Sequence, residues 1–84
     1  MNYRVIISAT VKKQIEALPD DAQERVLASL MELAVNPRPP GAKELKGNMG
    51  WRFRVGSHRL IYWIDDGKAC VTLIKVGHRR DIYR

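Results

Sequence analysis

Hydrophobic and polar positions change their period twice along the chain. Tyr3-Arg4-Val5-Ile6-Ile7-Ser8 is a short β-branched run and predicts a strand. Behind it Val11, Ile15 and Leu18 recur at helical spacing, with Ser8 or Thr10 placed to cap the helix and Pro19 to stop it. Asp20 opens a second helix. Its carboxylate is offered to the free backbone N–H groups, and Gln23 follows at the spacing of a capping box. Val26, Leu27, Leu30, Leu33 and Ala34 form the apolar stripe of this helix, while Glu24, Arg25, Ser29 and Glu32 face water. The pair predicts a tight helix hairpin.

Asn36-Pro37-Arg38-Pro39-Pro40-Gly41 ends the helical period, since proline removes donors and pushes its predecessor out of the α region. The segment should cross the surface extended, and the stretch from Lys43 to Gly50 reads as irregular with Leu45 as its anchor. From Trp51 the period is two: Trp51, Phe53 and Val55 point one way, Arg52 and Arg54 the other. Gly56-Ser57 turns the chain into Arg59-Leu60-Ile61-Tyr62-Trp63-Ile64, apolar enough to be a central strand. Asp65-Asp66-Gly67 signals a hairpin, with Gly67 accepting positive φ, and a last strand runs from Ala69 to Val76, closed by Gly77. The order β-α-α-β-β-β predicts an α+β fold, a helix hairpin packed on one face of an antiparallel sheet. Leu30 and Phe53 belong to the expected core, and Trp51 and Trp63 are placed there too.

A chain of 84 residues supports a single domain, 1–84. Its 45% apolar and 29% charged residues lie in the globular range and exclude disordered and collagen-like classes. No run has the length of a membrane span and the N-terminus lacks a signal pattern, so a soluble, cytoplasmic protein is expected, with no membrane partner. A single cysteine, Cys70, fits a reducing compartment and reads as a buried hydrophobe. Cys70, His58 and His78 share no zinc spacing, so neither metal nor other cofactor is expected.

Charge changes the picture more. The net charge is +6, and it is unevenly spread: seven basic and six acidic residues lie up to Gly50, eight basic and three acidic after it. Such a concentration points to a polyanionic partner. Arg52 and Arg54 share a strand face, Arg59 opens the neighbouring strand, and Arg79 and Arg80 follow the last one. A meander returns these segments to one end of the sheet, where guanidinium forks match phosphate oxygens. Trp63, Tyr62 and Tyr83 offer flat surfaces for stacked bases, against the plainer reading of aromatic residues as core.

Several stretches together resemble the RelE/ParE superfamily of toxin–antitoxin toxins. They are Tyr3-Arg4-Val5, Leu33-Ala34-Val35-Asn36-Pro37-Arg38-Pro39, Lys43-Glu44-Leu45-Lys46-Gly47, Trp51-Arg52-Phe53-Arg54-Val55-Gly56, Arg59-Leu60-Ile61-Tyr62 and Val76-Gly77-His78-Arg79-Arg80-Asp81-Ile82-Tyr83-Arg84. The resemblance implies the fold just described and a RelE-like, metal-independent endoribonuclease that cleaves messenger RNA on the ribosome. It implies attack of the ribose 2′-hydroxyl to give 2′,3′-cyclic phosphate and 5′-hydroxyl ends. By the same resemblance Arg59 binds phosphate, Arg79 serves the leaving group or the transition state, and Tyr83 orients or stacks on the substrate. Arg52 and Arg54 stand where the family holds lysines; with Arg80 they are the expected RNA-binding residues. Arginine is a poor base, so His78 is the expected titrating group if it faces the site. A RelB-like antitoxin, the ribosome and messenger RNA are the implied partners. The alternative is a ParE-like, non-catalytic inhibitor of DNA gyrase.

Overall fold

Ser8 starts the first helix by accepting the Val11 N–H on its Oγ at 3.2 Å. The computed structural model describes residues 2–78. The elements are β1 (Arg4–Ile7), α1 (Ala9–Glu16), α2 (Asp20–Val35), β2 (Lys43–Glu44), β3 (Trp51–Val55), β4 (His58–Asp65) and β5 (Cys70–His78). A single 3-10 turn, Lys46–Asn48, separates β2 from β3. The stretch expected to be irregular thus holds a two-residue strand, too short to show alternation. The strands form one sheet in the order β1-β5-β4-β3-β2, with β1 parallel to β5 and every other pair antiparallel.

The second helix begins differently from the expected capping box. Pro19 is the N-cap and no side chain caps the helix; Asp20 and Asp21 lie in its first turn, where carboxylates meet the positive end of the helix dipole. Gln23 instead ties the two helices together, its amide donating to the carbonyls of Leu18 at 2.8 Å and Glu16 at 3.2 Å. Ala22, Val26, Leu30 and Leu33 make the buried stripe, but Leu27 is 50% exposed. Leu27 aligns at four-residue spacing with the exposed Met31 and Val35, and Leu27 and Met31 line a groove with Val5 and Ile7 of β1.

The core lies between the helices and the sheet. Val11 and Ile15 of α1 and Val26, Leu30 and Leu33 of α2 meet Leu60, Tyr62, Val71, Leu73 and Val76. Trp51, Phe53 and Val55 are half-buried against this cluster, so Phe53 joins the core from its border. A bulge keeps β4 and β5 in phase: Leu60 pairs with Val76 but Tyr62 with Leu73, and the extra residue, Ile74, is pushed outward to 40% exposure. Trp63 departs from expectation. It lies one residue beyond core-facing Tyr62, so the pleat turns it to the open face, where it is 54% exposed.

The proline segment is more embedded than a surface crossing. Pro37 and Pro39 are buried, and the Tyr62 hydroxyl donates to the Pro37 carbonyl at 2.8 Å. Burial of that hydroxyl pushes its pKa up to about 12. Arg38 forms a bidentate pair with Asp66, at 2.9 and 3.2 Å, and lies 5.2 Å over the Trp51 ring. Tyr3 also donates to Asp66, at 2.6 Å, so three distant segments converge on one carboxylate. The bonds from Arg38 and then Tyr3 hold the Asp66 carboxyl below its ordinary range. Positive φ in the β4–β5 turn falls on Ala69, at 51°, and not on Gly67. The loop is longer than a two-residue hairpin and is closed by Lys68 N–H to Asp65 Oδ1 at 3.0 Å, which moves the left-handed position to the residue before β5.

Candidate functional site

Register and pleat gather the cations. Arg54 stands opposite Arg59, and Arg52 stands between Lys43 on β2 and Ile61 on β4. Residues paired across a ladder share a face, so Lys43, Arg52, Arg54 and Arg59 all project from the side of the sheet away from the helices. Strand spacing near 5 Å and a two-residue repeat of about 7 Å confine the four Cα atoms to a patch of about 10 by 7 Å. Gly77, opposite Arg59, adds no side chain to that row.

Between these residues lies a cleft of about 300 Å³, lined by Gly41, Lys43, Arg52, Arg54 and Arg59. Among the described residues, four of the five that line it are cationic. Arg54 is exposed, while Arg52 and Arg59 are half-buried. Half-burial restricts the guanidinium rotamers and lowers the local dielectric, and both strengthen the grip on an anion. Such a cleft is suited to phosphate oxygens and to negative charge that grows on them.

The expected site residues divide three ways. Arg52, Arg54 and Arg59 come together. Arg79, Arg80 and Tyr83 lie outside the described residues. His78 falls on the other face: it pairs with His58, one position beyond Gly77, and the two imidazoles meet edge to face at 5.7 Å between centroids. His58 lines a hollow with Pro19, Ala22 and Arg25 on the helix side. Alternation therefore turns His78 away from the arginine cleft at this register. Tyr62, also considered as a stacking surface, is fully buried.

Lys43 and Gly41 were not anticipated as site residues. The two-residue β2 gives no periodic signal, so only the ladder to Arg52 brings Lys43 to the cleft. Among the described residues, no cluster of three or more His, Cys, Asp or Glu side chains is placed to hold a metal ion.

Comparison with known proteins gives the family and bears on the fold. The family model described as the ParE toxin of type II toxin–antitoxin systems, parDE, matches residues 5–83. The chain is 36% identical to Toxin RelG of Mycobacterium tuberculosis, covering 100% of this chain and 99% of the relative. It is 33% identical to Toxin RelE of the same organism, over 98% of this chain and 87% of the relative. The fold overlays on the toxin of the archaeal RelE–RelB complex from Pyrococcus horikoshii with a TM-score of 0.84, at 28% identity, covering 96% and 99% of the two chains. The chain belongs to the RelE/ParE superfamily and is a RelE-family toxin of a type II toxin–antitoxin system.

Proposed function

We propose that this toxin is a metal-independent endoribonuclease that cleaves messenger RNA on the ribosome and so stops translation in the cytoplasm. The observation that carries the reading is the cleft in which Lys43, Arg52, Arg54 and Arg59 meet. In the reaction the 2′-oxygen bonds to the adjacent phosphorus and the bond to the 5′-oxygen breaks. The products are a 2′,3′-cyclic phosphate and a 5′-hydroxyl. Arg52, Arg54 and Arg59 clamp the phosphorane oxygens, supplying in fixed positions the positive charge the transition state needs. Arginine keeps its proton, so the clamp acts by charge alone, with Lys43 adding a fourth cation, and the 2′-hydroxyl proton passes to water. By resemblance Arg79 serves the leaving group or the charge of the transition state and Tyr83 orients or stacks on the substrate, while the leaving 5′-oxygen takes its proton from water. The ribosome fixes the RNA in a reactive conformation, an advantage worth orders of magnitude in rate.

A RelB-type antitoxin is the proposed partner, by likeness to the RelE–RelB complex of Pyrococcus horikoshii. Its apolar docking surface is the groove of about 450 Å³ beside the edge strand β1, lined by Val5, Ile7, Leu27, Leu30, Met31 and Ala34. The match to the ParE family model favours a second reading, inhibition of DNA gyrase without catalysis. Brief expression in cells, with mapping of new 5′-hydroxyl RNA ends and a gyrase supercoiling assay, separates the two. New RNA ends that vanish in Arg59→Ala, with gyrase unaffected, support the ribonuclease. Inhibited supercoiling without new ends overturns it.

A further inference from the structure

Trp63 occupies a position that a packing role does not explain. On β4 it follows Arg59 and Ile61 along the open face, and it is 54% exposed there. Its inner side is seated on Gly50. That glycine holds φ at 102°, and a methyl group on it would collide with Trp63 Cδ1, with Trp63 Nε1 at 2.8 Å and with the Tyr62 carbonyl at 2.7 Å. The missing side chain at position 50 thus lets the indole lie against the backbone with its other side turned to solvent. Beside it is a groove of about 330 Å³ lined by Glu44, Asn48, Gly50, Trp51, Trp63 and Ile64. A groove of this size and lining suits one flat, polar-edged ring.

We infer that Trp63 is a stacking platform for a nucleobase of single-stranded RNA whose phosphates lie in the arginine cleft. The inference deepens the ribonuclease reading and rests on it. Position along the strand supports the occupant: Trp63 lies about 7 Å beyond Ile61, the neighbour of Arg52, and about 13 Å beyond Arg59. A strand with its backbone on the cations therefore reaches the indole within one or two nucleotides. Charge complementarity selects a polyanion for the cleft, and an indole resting on one side and open on the other is what a stacked base requires. Asn48 and Glu44 border the groove. Both accept hydrogen bonds from exocyclic amino groups, which adenine, guanine and cytosine carry and uracil lacks.

The test uses three single-stranded octamers: 2′-O-methyl oligoadenylate, which cannot be cleaved by 2′-hydroxyl attack, 2′-O-methyl oligouridylate, and an abasic strand of equal charge. Trp51→Phe leaves Trp63 as the lone tryptophan reporter in a chain with two. Oligoadenylate should quench its fluorescence saturably, oligouridylate less, and the abasic strand not at all. In the parent chain, polarisation of labelled oligoadenylate should show binding weakened about 5- to 100-fold by Trp63→Leu and little changed by Trp63→Phe. This second measurement does not depend on Trp51→Phe folding, and circular dichroism checks each variant. Binding that needs Arg59 but is indifferent to Trp63→Leu overturns the platform and leaves the ribonuclease reading standing. No RNA binding by the parent chain, together with unaltered RNA in cells, overturns both. Fluorescence that shifts with protein concentration alone assigns Trp63 to self-association and overturns the platform.

Discussion

Removing one oxygen atom, in Tyr62→Phe, tests how the site is tethered to the core. Tyr62 is 0% exposed, and its hydroxyl donates to the Pro37 carbonyl at 2.8 Å. The ring keeps its packing in the variant, so the loss is the bond and the desolvated carbonyl left behind, about 1–3 kcal/mol. In a domain of this size each kcal/mol moves the melting temperature by about 4–8 °C. Titration adds a second arm. Burial raises the hydroxyl from its ordinary 10.0 to about 12. Between those values the unfolded chain releases the proton while the folded one keeps it. The contribution is therefore complete below the ordinary value and is lost as pH rises through the folded one. At about 1.4 kcal/mol per pKa unit, this alkaline loss amounts to roughly 3 kcal/mol, and it is absent without the hydroxyl. Urea unfolding of parent and variant near pH 7 and near pH 11, where about half of the alkaline loss has set in, measures both arms. Pro37 begins the segment that carries Gly41 and Lys43 to the cleft, so under the proposed activity the variant should also cleave RNA less well while remaining folded. Equal neutral stability, with equal alkaline slopes in the two proteins, would refute the tether.

Two further outcomes follow from the packing and the surface charges. Leu33→Ala, at a position 0% exposed, should cost about 2–5 kcal/mol in urea unfolding, against less than about 1 kcal/mol for Arg52→Ala on the open face. Asp66→Asn removes a carboxylate held below its ordinary 3.8 by Arg38 and Tyr3. The parent's advantage should be full above that value and fade as pH falls through the lowered one, so melts of the two proteins should converge in strong acid.

The sequence made the helix hairpin, the alternating Arg52 and Arg54 and the central strand readable, because each rests on a local period. What it hid depended on contacts between distant segments. Lys43 has no period of its own and becomes a site residue only by pairing with Arg52. Trp63 shares the parity of Arg59, which could have placed it outside. It sits in a nearly unbroken apolar run, however, and such a run reads as burial on both faces. Gln23 matched a capping box by spacing, yet Pro19 took the cap and the Gln23 amide found the Glu16 carbonyl of α1 instead. For His78, one position of alternation decides its face, and that position became known only once Gly77 paired with Arg59.

The cleft also has a cost that can be measured. Arg54 and Arg59 stand directly opposite each other on neighbouring strands, with Arg52 two residues from Arg54 and Lys43 across from Arg52. Like charges at opposed positions destabilise a sheet by about 0.2–1 kcal/mol, and a β-branched residue at such a position fits the pleat better than arginine. Arg54→Thr should therefore stabilise the free protein by a few tenths to about 1 kcal/mol. The gain should shrink in concentrated salt, where repulsion between exposed charges is screened. A non-cleavable RNA strand should reverse the order, raising the melting temperature of the parent more than that of the variant, because the ligand stabilises whichever folded state binds it more tightly. Urea unfolding at low and high salt and thermal melts with and without RNA give all the terms. If Arg54→Thr instead destabilised the free protein by more than about 1 kcal/mol at low salt, Arg54 would be holding the sheet together. The cations would then be accounted for by the fold, and the anion-binding reading would lose its physical basis. If the variant gains stability and loses RNA binding together, the sheet carries opposed arginines at its own expense, and a bound polyanion is what offsets the repulsion.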